Sequence, residues 1–336
     1  MMAKVLRAGL LGIGMMGRHH ARVLRELDGV ELVGISDPGG DPHGVAGNLE
    51  VLRDVEALID IGIDVAIVAT PTRFHEEAAL KLAAAGVHTL IEKPIAHTVE
   101  AGTRIVDAFS ANGLVGAVGH IERFNPALQQ LRRRIEAGDL GDVYQIATRR
   151  QGPFPSRIAD VGVGKDLATH DIDLTAWVAQ SEYRSVYGQT STKSGRPHED
   201  VIAITGRLDN GVIVNHLVNW LSPLKERVTV VTGEKGAFVA DTATGDLTFS
   251  ANGTIPIEWE SVTAFRGVSE GDQTRFAFPK REPLQVEHEA FRDAVLGLPS
   301  DVVTLEQGLR TLTVVEAALG SATTGNPVSF MKNLDL

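Results

Sequence analysis

The chain contains no cysteine at all. That excludes a disulfide-braced scaffold, a thiol nucleophile and thiolate-ligated zinc, and it fits a reducing compartment such as the cytoplasm. Long apolar runs are missing as well. Nothing approaches the roughly 18 consecutive apolar residues that a membrane-spanning helix needs, so no membrane partner is expected. Lys4 and Arg7 precede the short run Leu10-Leu11-Gly12-Ile13. Arg18-His19-His20 follows at once with no small-residue cleavage site, and a signal peptide is not expected. Basic excess is also lacking: 32 Lys and Arg stand against 43 Asp and Glu, a net charge of -11. Such a balance disfavours nucleic acid and anionic membranes as partners and leaves local basic sites for a phosphate. What is present, 336 residues of which 43% are apolar, suits a sizeable core and two domains.

The first third alternates apolar runs with helical periodicity. Strands are expected at residues 6–11, 31–36, 64–69, 87–91 and 114–118, and helices at 15–27, 54–60, 74–85 and 99–111. Residues 37–48 read as a loop rich in Gly and Pro. Strand–helix alternation means a parallel sheet with right-handed crossovers, the doubly wound α/β pattern of a Rossmann domain. Near residue 120 the pattern changes. A helix from Asn125-Pro126 to Ala137 is followed by alternating segments at 143–150, 183–190, 201–208, 212–220, 227–232 and 237–240. Asp209-Asn210-Gly211 and Gly233-Glu234-Lys235-Gly236 carry hairpin signals. A helix at 167–179 interrupts the strands, and helices at 283–296 and 305–319 close the chain, the last opened by a Thr304-x-x-Gln307 capping box. The expected division is a nucleotide-binding domain over residues 1–122 and an α+β domain on a mostly antiparallel sheet over 123–336.

Gly12-x-Gly14-x-x-Gly17 sits between the first strand and the first helix. Gly12 allows the tight turn, Gly14 lets the backbone approach a pyrophosphate, and Gly17 lets helix and strand pack closely. The helix start adds free N–H groups and a positive dipole end. A Gly-rich turn without a ligand would read the same, so context decides. Asp37 ends the second strand about twenty residues further on, where a carboxylate accepts from the adenosine ribose hydroxyls. It repels a 2′-phosphate, which favours NAD over NADP, although basic residues elsewhere could admit NADP. Thr70-Pro71-Thr72 and His75 follow the third long strand, on the sheet edge where ligands bind. They could touch ribose or nicotinamide, or Thr72 could simply cap the next helix.

Glu92-Lys93-Pro94 ends the apolar run 87–91 at the same edge. Two charges at the end of a buried strand are costly unless something uses them. A lysine there could take the proton of an alcohol while the hydride moves to nicotinamide, its pKa lowered by the cationic ring, or it could polarise a carbonyl. Glu92 could orient it, and Pro94 stiffens the turn and could follow a cis bond. Asp166-x-x-x-His170-x-x-Asp173 has the spacing of one helix face. His170 could relay a proton or bind a hydroxyl, with Asp166 fixing its tautomer. The same residues could hold a divalent metal, as in a hydrolase, or form an acid-rich helix start around a buried histidine.

Taken with Gly119-His120-Ile121-Glu122-Arg123-Phe124-Asn125-Pro126, these motifs resemble the glucose–fructose oxidoreductase / inositol dehydrogenase / rhizopine catabolism (Gfo/Idh/MocA) oxidoreductases. They run in order through the first half of the chain and depart from the family at Thr72, where it often carries Asn. The resemblance implies an NAD(P)-dependent dehydrogenase acting on a CH–OH group of a sugar or cyclitol. It implies an open-faced sheet in the second domain, used for substrate binding and for a homodimer or homotetramer. It implies Lys93, Asp166 and His170 as the catalytic trio, with no metal. Gly12, Ile13, Gly14, Met15, Met16, Gly17, Asp37, Thr70, Pro71, Thr72, His75, Glu92 and Lys93 would surround the cofactor. Residues 119–126 look like the segment of members that act on nucleotide-linked hexoses, with UDP-N-acetylhexosamine 3-dehydrogenases as the nearest guess. Arg123, Asn125 and Lys165 would then join Lys93, Asp166 and His170 around the substrate, and Arg149 and Arg150 could add charge for its phosphates or be ordinary surface charge. An inositol, cyclitol or free-sugar dehydrogenase is the alternative. A nucleotide-sensing regulator without turnover is the rival of another class.

Overall fold

A computed structural model of the chain describes residues 5–154, 161–253 and 270–330. These form two compact units: one runs to Ile121 and takes back Glu282–Thr313, and the other holds Glu122–Arg281 and the chain from Val314 onward.

The first unit is built on a six-stranded sheet of β1 (Leu6–Leu11), β2 (Val30–Ser36), β3 (Val51–Leu52), β4 (Val65–Val68), β5 (His88–Glu92) and β6 (Gly116–Gly119). The strands stand in the order β3-β2-β1-β4-β5-β6, and every pair is parallel. Helices α1 (Met15–Glu26), α2 (Val55–Asp60), α3 (His75–Ala84) and α4 (Val99–Ala111) connect them. A parallel sheet is covered on both faces, which is why β4 is apolar and buried at every position. Side-chain caps start two of the helices: Asp54 accepts from the Ala57 N–H at 2.9 Å, and Thr98 from that of Ala101 at 3.2 Å. The strand order reverses beside β1, and the carboxyl ends at such a switch point form a ligand crevice.

The second unit holds a nine-stranded sheet. It comprises β7 (Val143–Pro153), β8 (Tyr183–Ser191), β9 (Val201–Leu208), β10 (Ile213–Asn219), β11 (Leu221–Gly233), β12 (Gly236–Asp241), β13 (Asp246–Asn252), β14 (Glu270–Arg275) and β15 (Val328–Ser329). The order is β14-β13-β12-β11-β7-β10-β9-β8-β15, and only the β7–β10 pair is parallel. The expected hairpins join β9 to β10 and β11 to β12, and Gly211 supplies the positive φ that the first turn needs. Ile146, Ile202, Val214 and Val231 share one core with Leu128 and Leu131 of α5 (Pro126–Glu136) and Ile172 of α6 (Thr169–Ala179). Ile213 and Leu217 alternate with the inward Val214 and are exposed. The short or polar strands β3, β13, β14 and β15 carry no clear period-2 signal and are additions to the expected set.

The expected division needs correcting. Residues 282–313 do not belong with the second unit. Phe291 of α7 (Pro283–Val295) lies in a core with Leu10, Ile67 and Leu90, and Leu305 and Leu312 of α8 (Leu305–Thr324) lie in another with Val68, Ile91 and Ile105. Val118 donates its N–H to the Val303 carbonyl at 2.9 Å, and Ala117 bridges Thr304, so the returning chain also covers the edge of β6. The capping box closes as expected, with Thr304 and Gln307 exchanging hydrogen bonds of 3.3 Å. No helix among the described residues is long and apolar enough to cross a membrane. Phe291→Ala is expected to destabilise the first unit by about 3–5 kcal/mol, read as a lower urea midpoint by circular dichroism; an unchanged midpoint would show that α7 does not depend on this core.

Candidate active site

The glycine loop closes tightly on itself. Gly12 has φ +86, and a Cβ there would stand 2.7 Å from the Ala69 carbonyl oxygen. A Cβ on Gly17 would stand 1.9 Å from the Gly12 oxygen. Both positions therefore require glycine, and their contact brings the first turn of α1 onto the end of β1. At Gly14 the same test meets nothing within 4 Å, which leaves open space against bare backbone. The α1 start has no side-chain cap and no acidic residue in its first turn. Such a cradle fits the pyrophosphate of a dinucleotide. Asp37 holds it: one carboxylate oxygen accepts the Ile13 N–H at 2.9 Å and the other the Gly39 N–H at 2.7 Å, with further lone pairs left for a ribose. A cavity of about 220 Å³, lined by Leu11, Ser36, Pro38, Thr70 and Phe74 among others, lies beside it, and the buried Thr70 hydroxyl has no hydrogen-bond partner among the described residues.

His75 is buried. Its two ring nitrogens stand 3.0 Å from the Pro94 carbonyl and 2.9 Å from the Thr70 carbonyl, so the buried ring ties together the turns after β4 and β5. Burial holds its pKa below the ordinary value against the pull of those carbonyls; a neutral ring donates to one of them only. Thr72 is buried in a 3₁₀ turn, Thr72–Phe74, and neither this turn nor α3 has a side-chain cap. Lys93 follows β5 with a cis bond to Pro94, and its backbone N–H donates to Glu92 at 3.1 Å. Glu92 is buried. Desolvation pushes its carboxyl up, but a hydrogen bond from His20 and the field of His20 and Lys93 outweigh that and hold it below the ordinary value. β1, β4 and β5 are parallel neighbours, so the glycine loop, Thr70–Thr72 and Lys93 share one sheet edge.

In the second unit the regular helix expected at 167 is replaced at its start by a π-helical turn, Gly164–Ala168, which leads into α6. Asp166 lies in that turn and His170 in the first turn of α6, both buried; the wider winding breaks the plain i, i+4, i+7 face. Asp173 goes elsewhere. Both of its oxygens take the Arg123 fork, at 2.8 and 2.6 Å, which removes it from any metal-binding trio. The same pairing engages the Arg123 fork. Asn125 caps α5 through the Ala127 N–H and donates to the Thr242 carbonyl, Lys165 pairs with Glu316 at 2.9 Å, and Arg149 pairs with Glu226 at 3.1 Å. Arg150 is buried between Glu122 at 2.8 Å and Asp171 at 3.1 Å. Burial drives the Asp171 carboxyl up to about 6 despite the opposing arginine. The basic side chains expected to meet phosphates are thus engaged with carboxylates.

Two family models cover most of the chain: the Gfo/Idh/MocA oxidoreductase family with NAD-binding Rossmann fold over residues 6–120, and the Gfo/Idh/MocA C-terminal domain over residues 128–239. The chain belongs to this family. Its first unit is accordingly an NAD-binding Rossmann domain. The chain is 32% identical over 193 residues to scyllo-inositol 2-dehydrogenase (NAD(+)) of Bacillus subtilis, covering 54% of this chain and 56% of that one. It is 32% identical over 213 residues to UDP-N-acetylglucosamine 3-dehydrogenase of Acidithiobacillus ferrooxidans, covering 62% and 66%. In each case, less than two thirds of the curated relative is spanned. A solved structure of the latter enzyme matches with a TM-score of 0.83 at 26% identity, over 95% of this chain and 98% of that chain.

Residue-by-residue reading of this Gfo/Idh/MocA chain missed His20, His288, Asp171 and the Arg150 pairing. Signals existed. His20 lies on the apolar face of α1 with Gly17, Ala21 and Leu24, and Arg150 falls on the buried alternation of β7 with Ile146 and Thr148. Arg123→Met is expected to cost about 3–5 kcal/mol by stranding the buried Asp173 charge, with much of that recovered in Arg123→Met/Asp173→Leu, as measured by chemical unfolding. Glu92 gives a pH signature. Its folded pKa is depressed, so its contribution is present above the ordinary value of 4.5 and is lost as pH falls through the folded value. The gap in melting temperature between wild type and Glu92→Gln is expected to close on acidification below that point; a constant gap would contradict an ionised Glu92.

Proposed function

We propose that the protein is an NAD-dependent dehydrogenase acting on a ring hydroxyl or ketone of a sugar, with a UDP-linked N-acetylhexosamine oxidised at its 3-position as the first candidate. One observation carries the dehydrogenase reading: an open backbone cradle for pyrophosphate and a lysine stand at the same carboxyl edge of one parallel sheet. Gly12 to Gly17, Asp37 and Thr70 would hold the dinucleotide, which supplies the hydride acceptor when bound. Lys93 would receive the proton of the reacting hydroxyl at Nζ, or return it in reduction. Asp166 and His170 are assigned, on the family resemblance, to holding the sugar.

Support for the nucleotide-linked substrate is the likeness over 95% of the chain to UDP-N-acetylglucosamine 3-dehydrogenase. A second reading, an inositol or other uncharged polyol, is favoured by the ion pairs that engage Arg123, Arg150 and Lys165. Both relatives reported above are named dehydrogenases, and NAD is the first cofactor to test. The deciding assay follows NADH absorbance with NAD or NADP and UDP-N-acetylglucosamine, UDP-N-acetylgalactosamine, myo-inositol and scyllo-inositol. Lys93→Met is expected to lower kcat by roughly 100- to 10,000-fold while NADH binding persists. Near-wild-type turnover in that variant would sink the lysine assignment, and NADH binding without turnover of any polyol would favour a sensor.

A further inference from the structure

His20 lies one turn beyond Gly17 on α1, and its ring is wholly enclosed. Nε2 stands 2.9 Å from Glu92 Oε1, and Nδ1 stands 2.8 Å from Nε2 of His288 on α7. The other Glu92 oxygen accepts the Lys93 backbone N–H. Three elements of the first unit therefore meet at one carboxylate and its histidine: the helix that opens at the dinucleotide loop, the strand that ends at Lys93, and the returning helix α7. An ionised carboxylate only accepts, so His20 Nε2 carries a proton and donates it to Glu92. Burial, with His20 beside it, holds His288 far below its ordinary pKa, so His288 is neutral. The 2.8 Å contact between His20 Nδ1 and His288 Nε2 then places one proton between the two rings.

A buried carboxylate–imidazole–imidazole chain is a costly way to fill space that apolar side chains would fill more stably. Its location beside the lysine supplies the reason. We propose that His20 is a positioning residue for the reaction: it holds the Glu92 carboxylate in place beside Lys93 and ties it to the helix that receives the dinucleotide. The inference rests on Lys93 as the proton-transferring group. Glu92 is ionised throughout the range in which a lysine titrates, and a donor on Glu92 draws its negative charge away from Lys93. Without that donor the lysine feels more negative charge and holds its proton more tightly.

The test uses the full-length protein and three substitutions. His20→Gln retains an N–H near the Nε2 position, His20→Asn retains a polar group only near Nδ1, and His20→Ala retains neither. Competitive acetylation with acetic anhydride across pH, read on the Lys93 peptide by mass spectrometry, gives the titration midpoint of Lys93 without any turnover. The midpoint is expected to rise by about half a pH unit or more in His20→Ala and His20→Asn and to return toward wild type in His20→Gln. NADH affinity, followed by fluorescence, is expected to stay within about threefold, since the pyrophosphate cradle is backbone. An unchanged or lower midpoint in a folded, NADH-binding His20→Ala overturns the proposal; if that variant does not fold, the Asn and Gln pair decides in the same way. Labelling needs no sugar, so failure to turn over every polyol tested would count against the proposed substrates and leave this result readable.

Discussion

The contact between Gly17 and the Gly12 carbonyl is the constraint from which the first unit's site follows. No side chain fits between them. Because both positions are bare, α1 starts directly on the end of β1, its uncapped N–H groups face open space at Gly14, and the Ile13 N–H reaches Asp37. The same closeness sets where the next turn of α1 falls. His20 lands on the buried face of the helix and meets Glu92 at the end of β5. One steric requirement thus governs the dinucleotide cradle and the surroundings of the lysine together.

Charge burial is the second theme, and it is handled by pairing. Glu92 rests on His20, Asp173 on the Arg123 fork, and Arg150 on Glu122 and Asp171. An isolated charge in such places would cost several kcal/mol, so these pairs bind their elements into one geometry. They also bear on recognition. A guanidinium that already satisfies a buried carboxylate is not a free phosphate ligand.

Much of the fold was legible because its determinants are local. Buried parallel strands announce themselves as apolar runs, helices by periodicity and caps, and the glycine loop by spacing. The returning segment 282–313 was not legible, because an amphipathic helix shows that it needs an apolar partner and not which one; only Phe291 lying beside β1, β4 and β5 decides that. The π-helical turn before His170 escaped for a similar reason, since it packs on Glu199 far along the chain, which accepts the Gly164 N–H at 2.9 Å and leaves no room for a Cβ at Gly162.

The sequence by itself determined the doubly wound topology, the dinucleotide cradle and the position of Lys93 at the cradle's own sheet edge, because each depends on neighbours within a few dozen residues. Tertiary structure alone decided which charges are engaged and which domain owns the returning helices. His75 became a clamp between two turns, Arg123 a partner of Asp173, and His20 the anchor of Glu92. A polar side chain's role depends on what lies within about 3 Å of it in space, and that neighbour can sit, as His288 does for His20, at the far end of the chain.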